Sequence, residues 1–195
     1  MPIITISREY GAGGHSIGRS VAAQLGIEFY DRDIIKQVAI ESGIDPELIE
    51  QSGEEISKTE EFVRSIVPIS YDQKDAIFNL QKEIILKIAA QGPCVILGRC
   101  ADFVLKEAGI ESMNVFLYAG EASRMNRVGE LVGSDDPAVI RKAIKRTDHN
   151  RHSYYSYYTE QDWGDYRNYN MMLDTGSLGY EACVKLICEA YGVIK

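Results

Sequence analysis

Residues 3–18, "IITISREYGAGGHSIG", run an apolar strand into a glycine loop and then into a helix-compatible stretch that continues as "RSVAAQLG" to residue 26. Glycines in such a loop let backbone N–H groups turn toward an anion, and the following helix adds the positive end of its dipole. A strand, a loop and a helix in that order are the context that makes a glycine run read as a phosphate cradle; the rival reading is a tight turn without a ligand. The cradle residues are Gly11, Ala12, Gly13, Gly14, His15 and Ser16. One part is missing. The pattern G-x-x-x-x-G-K-S/T puts a lysine after the last glycine, and this loop has none. Counting back from the helical stripe Ile17, Val21 and Leu25 puts the lysine position on Gly14 and the hydroxyl position on His15, with Ser16 next. A register shifted by one makes Gly14-His15-Ser16 the counterpart of Gly-Lys-Ser, but it rotates the apolar face of the helix. Arg8 stands at the loop entrance, where its guanidinium can replace the missing ammonium by binding phosphate oxygens bidentately. Arg19, a turn into the helix, reads as outward and solvated.

Outward from this unit, short apolar runs alternate with longer helical patterns. The pattern predicts strands at 3–7, 27–30, 94–98, 114–118 and 170–174. It predicts helices near 15–25, 31–42, 45–51, 55–66, 72–91, 100–108, 120–132, 136–158 and 178–191. Strands separated by helices of this length pair in parallel through crossovers. The expected fold is α/β: three layers, α/β/α, around a mostly parallel sheet, in one domain spanning 1–195. Within 43–92, acidic stretches precede "DAIFNLQKEIILKIAAQ", whose Ile77, Leu80, Ile84 and Ile88 form a stripe suited to core or dimer packing.

Composition excludes several classes. The net charge of −8 argues against nucleic-acid binding, which needs clustered Lys and Arg. "IRKAIKRTDHNRH", residues 140–152, is a basic island suited to a small anionic ligand. The four cysteines form no CxxC pair and read as buried thiols rather than zinc ligands or disulfides. No apolar run is long enough to span a membrane, and the chain enters a strand at once without a leader, so a soluble cytoplasmic protein is expected.

With these pieces assembled, the chain resembles the cytidylate kinase-like family of nucleoside monophosphate kinases. "ITISREYGAGGHSIGRSVAAQLGIEFYDRD" is similar to that family's first strand, loop, helix and second strand. "VILGRCADFVL" resembles its Gly-Arg stretch after the third strand, and "MNVFLYAGEASRMNRV" its next strand and helix. "KRTDHNRH" resembles its arginine-bearing lid, and "LDTGSLG" its return to the last helix. The resemblance implies a P-loop kinase fold, with 43–92 as a helical acceptor-side insert and 134–168 as a lid. It implies transfer of the ATP γ-phosphoryl, with Mg2+, to a nucleoside monophosphate, CMP or dCMP foremost. That chemistry rests on positioning and charge stabilisation.

The same resemblance implies roles for residues. Gly11, Gly13 and Gly14 would hold donor phosphates, Arg99 the acceptor phosphate, and Arg146 and Arg151 the transferring group from the lid. Asp31 would hold the acceptor or metal waters, and Ser16 the magnesium, directly or through water. Leu97 and Cys100 stand where cytidylate kinases carry acids that read the acceptor, and Asp102 is the candidate to compensate. Plainer readings stand beside these: Asp31 as a helix N-cap, the lid arginines as a solvated helix face, and Asp148 as their orienting acid. "HSYYSYYTEQDWGDYRNY" offers aromatics for stacking on a base or for packing a long helix. Two further functions remain open: a nucleotide-binding regulator without turnover, and a kinase for a non-nucleotide small molecule. The partner in each case is a small molecule, with a homo-oligomer possible for the chain itself.

Overall fold

The computed structural model describes residues 2–31 and 71–193, and for 71–77 the backbone alone. The helices expected at 31–42, 45–51 and 55–66, and most of the acceptor-side insert, lie outside the described residues.

Five strands, β1 (Ile3–Arg8), β2 (Glu28–Tyr30), β3 (Cys94–Leu97), β4 (Ser112–Tyr118) and β5 (Met171–Asp174), form one sheet in the order β2-β3-β1-β4-β5. Every pairing is parallel. Parallel strands need crossovers, and the helices supply them: α1 (Gly14–Leu25), α2 (Tyr71–Gln91), α3 (Ala101–Glu107), α4 (Glu121–Val132), α5 (Pro137–Thr159), α6 (Thr175–Leu178) and α7 (Tyr180–Val193). The central strands β1 and β3 are buried along nearly their whole length, which is why they read as continuous apolar runs.

The two faces of the sheet carry separate cores. On one, Ile4, Ile6, Val115 and Leu117 pack against Ile17 and Val21 of α1 and Cys183 and Ile187 of α7. On the other, Ile3 and Ile96 meet Ile84, Ile85 and Ile88 of α2 and Val104 and Leu105 of α3. The α2 stripe foreseen in the sequence is therefore core. A third cluster, Val128, Ile140 and Ile144 with Tyr10, joins α4 to α5 beside the loop after β1.

The last helix differs from expectation. Asp174 caps the short α6 by accepting from the amides of Gly176 and Ser177, and Gly179, with φ 77°, turns the chain before α7. At the end of α5, Glu160 is exposed and holds a left-handed backbone, φ 55°, as the C-cap. Glycine adopts that geometry without the Cβ clash. Glu160→Gly is expected to gain about 1 kcal/mol, a rise in melting temperature of about 2–4 °C for a chain of this size; calorimetry checks it.

Candidate phosphate-binding site

The loop after β1 turns back on itself at Gly11 (φ 88°) and Gly13 (φ 77°), and α1 begins at Gly14 with Gly13 as its N-cap. Among the described residues no side chain caps this helix, and no acid sits in its first turn. Its leading N–H groups thus lack a side-chain cap, the arrangement that binds anions, and the Tyr180 ring lies against Gly13 beside them. A side chain at Gly14 would put its Cβ 2.7 Å from Arg8 Cγ and 3.2 Å from Arg8 Cδ. The Arg8 stem thus fills the space a lysine stem would need at the first helical residue.

The lid helix is fastened to this loop. Arg151 donates from Nη1 to the Arg8 carbonyl oxygen at 2.9 Å, and its guanidinium carbon stands 5.7 Å from the centre of the Tyr10 ring. The Tyr10 N–H donates to Asp148 Oδ1 at 2.7 Å. Asp148 Oδ2 accepts from Arg124 Nη1 at 2.5 Å, and that nitrogen lies 3.5 Å from Glu9 Oε2. Glu9 also accepts from the Ala119 amide at 3.2 Å. Burial pushes the Glu9 carboxyl above its ordinary pKa, against the pull of the Ala119 N–H and Arg124. Among the described residues, buried Arg124 Nε has no hydrogen-bond partner, a donor left over at the base of the lid.

At the ends of β2 and β3 lie two further features. His15 Nε2 and Asp31 Oδ2 are 3.0 Å apart, and the imidazole meets the Phe29 ring edge-on. After β3, Gly98, Arg99 and Cys100 are all left-handed, with φ of 74°, 62° and 53°. Two non-glycine residues in that region cost on the order of 1–3 kcal/mol each, a cost that collects at functional turns. Arg99 is 4% exposed.

A family model of the cytidylate kinase-like family matches residues 3–177. The chain belongs to the cytidylate kinase-like family. No curated protein matches it in sequence. Among solved structures, an uncharacterized protein from Eubacterium ventriosum is 24% identical, with TM-score 0.75, over 98% of this chain and 99% of that one. A shikimate kinase from Acinetobacter baumannii, in complex with shikimate, is 14% identical, with TM-score 0.55, over 99% and 94%. A gluconokinase from Sinorhizobium meliloti is 17% identical, with TM-score 0.53, over 98% and 96%. At these identities the likeness shows the fold: the three-layer α/β/α arrangement of P-loop kinases. Family and fold together are those of a phosphotransferase.

In this cytidylate kinase-like protein the foreseen residues divide. Arg8, Arg151 and the loop 11–16 come together, and Asp148 ties the lid to them. Arg146 is exposed on α5 and, among the described residues, engages no partner. Ser16 lines the groove between α1 and α7 with Tyr180 and Glu181. Asp102 is 5% exposed and its Oδ2 accepts from the Tyr155 hydroxyl at 2.7 Å, which joins α3 to the lid helix. Much of the aromatic run packs, Tyr158 stacking on Phe78 and Trp163 and Tyr169 flanking Phe116, while Tyr166 is exposed. Sequence reasoning quoted Arg124 without giving it a role and passed over Glu9 and Tyr180, whose ring lies against Gly13. No helix among the described residues is long and apolar enough to cross a membrane.

Proposed function

We propose that this protein transfers the γ-phosphoryl of ATP to a small-molecule acceptor, with the loop 11–16 and Arg8 holding the donor phosphates. What supports this reading is the Arg8 stem lying across Gly14, the position where the family pattern has a lysine. Arg151, one hydrogen bond from the Arg8 backbone, belongs to the same charge cluster. The orphaned Arg124 Nε beside the loop fits a further anionic oxygen. Arg99, on its left-handed turn, is the acceptor-side cation, and Asp31, paired with His15, serves the same acceptor. Asp102 acts through Tyr155, positioning the lid helix.

Magnesium in such chemistry keeps several waters and is held largely by substrate phosphates with one or two protein oxygens. Among the described residues no cluster of three His, Cys, Asp or Glu gathers a metal, and a single protein oxygen, that of Ser16 at the start of α1, would suit that sparse mode. Bound magnesium would neutralise charge on the transferring group.

Two acceptor classes divide the proposal. Leu97 and Cys100, at 6% and 4% exposed, carry no carboxylate with which to read a base. That favours a hydroxylated non-nucleotide acceptor, the class named for the shikimate kinase and the gluconokinase. CMP or dCMP, from the family resemblance, is the second reading. Coupled-enzyme measurement of ADP formation with MgATP decides between them. Turnover on sugar acids or cyclic polyols is expected; turnover on CMP alone reverses the choice, and ATP binding with no turnover on either panel makes the chain a regulator.

A further inference from the structure

A second, partly open cavity lies away from the phosphate loop, beside α3, and is bordered by Gln161 and residues 167–170. Its volume is about 240 Å³. At roughly 30 Å³ per water in the liquid, this is room for a molecule of about eight to a dozen heavy atoms. Its walls include Asp102, Lys106, Asn114, Tyr155, Gln161 and Asn170.

The internal hydrogen bonds of this wall consume acceptors and leave donors. Asn114 Oδ1 accepts from Thr5 Oγ1 at 2.7 Å and from Ser112 Oγ at 2.8 Å. Asn170 Oδ1 accepts from the Asn114 amide at 2.7 Å. Gln161 Oε1 takes the Tyr155 hydroxyl at a longer 3.4 Å. Asp102 is occupied by Tyr155 and by amides at the start of α3. Among the described residues, no protein acceptor takes the side-chain nitrogen of Asn114, Gln161 or Asn170, or the Lys106 ammonium. Three amide donors and an ammonium around a small void call for a ligand rich in acceptors.

We infer that this cavity binds a small oxyanion, a compact hydroxy-carboxylate or phosphate monoester, independently of the phosphate loop. The two sites share a wall element: Tyr155 lies one helical turn beyond Arg151 on α5.

Isothermal titration of the full chain with L-malate and with glycerol 3-phosphate tests this and separates the two sources of oxyanion. Saturable binding of either is expected. Lys106→Gln removes the ammonium from an exposed position, and Asn170→Asp keeps the acceptor for the Asn114 amide while adding a negative charge. Each is expected to weaken binding about tenfold or more, as loss of one charge-assisted contact does, with melting temperature little changed. Arg8→Ala, which disables the loop, is expected to leave this binding intact. Malate binding alone identifies a carboxylate ligand, glycerol 3-phosphate binding alone a phosphate ester. Failure of both to saturate, or binding that is lost in Arg8→Ala and kept in Lys106→Gln, overturns the inference.

Discussion

Arg8→Ala is expected to lower ATP-dependent phosphoryl transfer by about 10³-fold, in the range seen when a preorganised charge is removed from a transferring phosphoryl group. The loss has a specific remedy. Gly14 is the first helical residue and has no left-handed backbone, and in Arg8→Ala the 2.7 Å contact with Cγ is gone, leaving the alanine Cβ at 3.1 Å to yield by a few tenths of an ångström. The pair Arg8→Ala with Gly14→Lys puts an ammonium back at the start of α1 and is expected to recover at least about tenfold of the lost activity. Gly14→Lys alone forces its Cβ into Arg8 Cγ and is expected to destabilise the fold instead. Steady-state kinetics and melting curves on the three variants check the reasoning. Equal activity in Arg8→Ala and wild type would remove Arg8 from the site.

The second large effect concerns the buried pair behind the lid. The Tyr155 hydroxyl donates to Asp102, a carboxylate pushed above its usual pKa first by burial and held down by that hydroxyl and by α3 amides. The tyrosine itself stays protonated, because burial and the neighbouring carboxylate both raise it. Tyr155→Phe strips the donor from a buried acid and is expected to cost about 2 kcal/mol at pH 7. The sign of the pH dependence follows. With the folded pKa above the unfolded one, near 3.9 for Asp, the folded state keeps a proton that the unfolded chain has released. The stability tied to that proton is complete below the unfolded pKa and is lost as pH rises through the folded value. Removing the hydroxyl lifts the folded value further, so the cost of Tyr155→Phe shrinks as the solution is acidified. Asp102→Asn in the same background recovers most of it at pH 7, since an amide carries no charge to desolvate. Urea titrations at neutral and mildly acidic pH provide the test; an equal loss at both, with no rescue, contradicts this pairing.

The frame was legible because its signals are local. Each strand followed from a short apolar run between turn residues, and α2 from its apolar spacing; all the described strands fall within two residues of their expected ends. The break at Gly179 was readable too, in the Asp-Thr-Gly-Ser cap ahead of it, but a continuous helical pattern masked it. The site was less accessible. Arg8 follows from the absence of a lysine, whereas the Glu9–Arg124–Asp148 cluster joins Glu9 to residues more than a hundred positions away and has no local trace. Asp148, expected to orient Arg146 and Arg151, instead holds Arg124 and the Tyr10 amide. Nothing in "LGRCAD" marks Arg99 and Cys100 as left-handed, since only the surrounding fold forces such residues there.

The central claim is that the amides of residues 11–16, with Arg8, receive the donor phosphates. An amide NMR titration of the full chain with MgATP measures this directly. The account predicts saturable shifts concentrated on the N–H groups of Gly11 to Ser16, and their disappearance in Arg8→Ala. Shifts confined to other parts of the sheet, or an unmoved loop at saturating ATP, would contradict it.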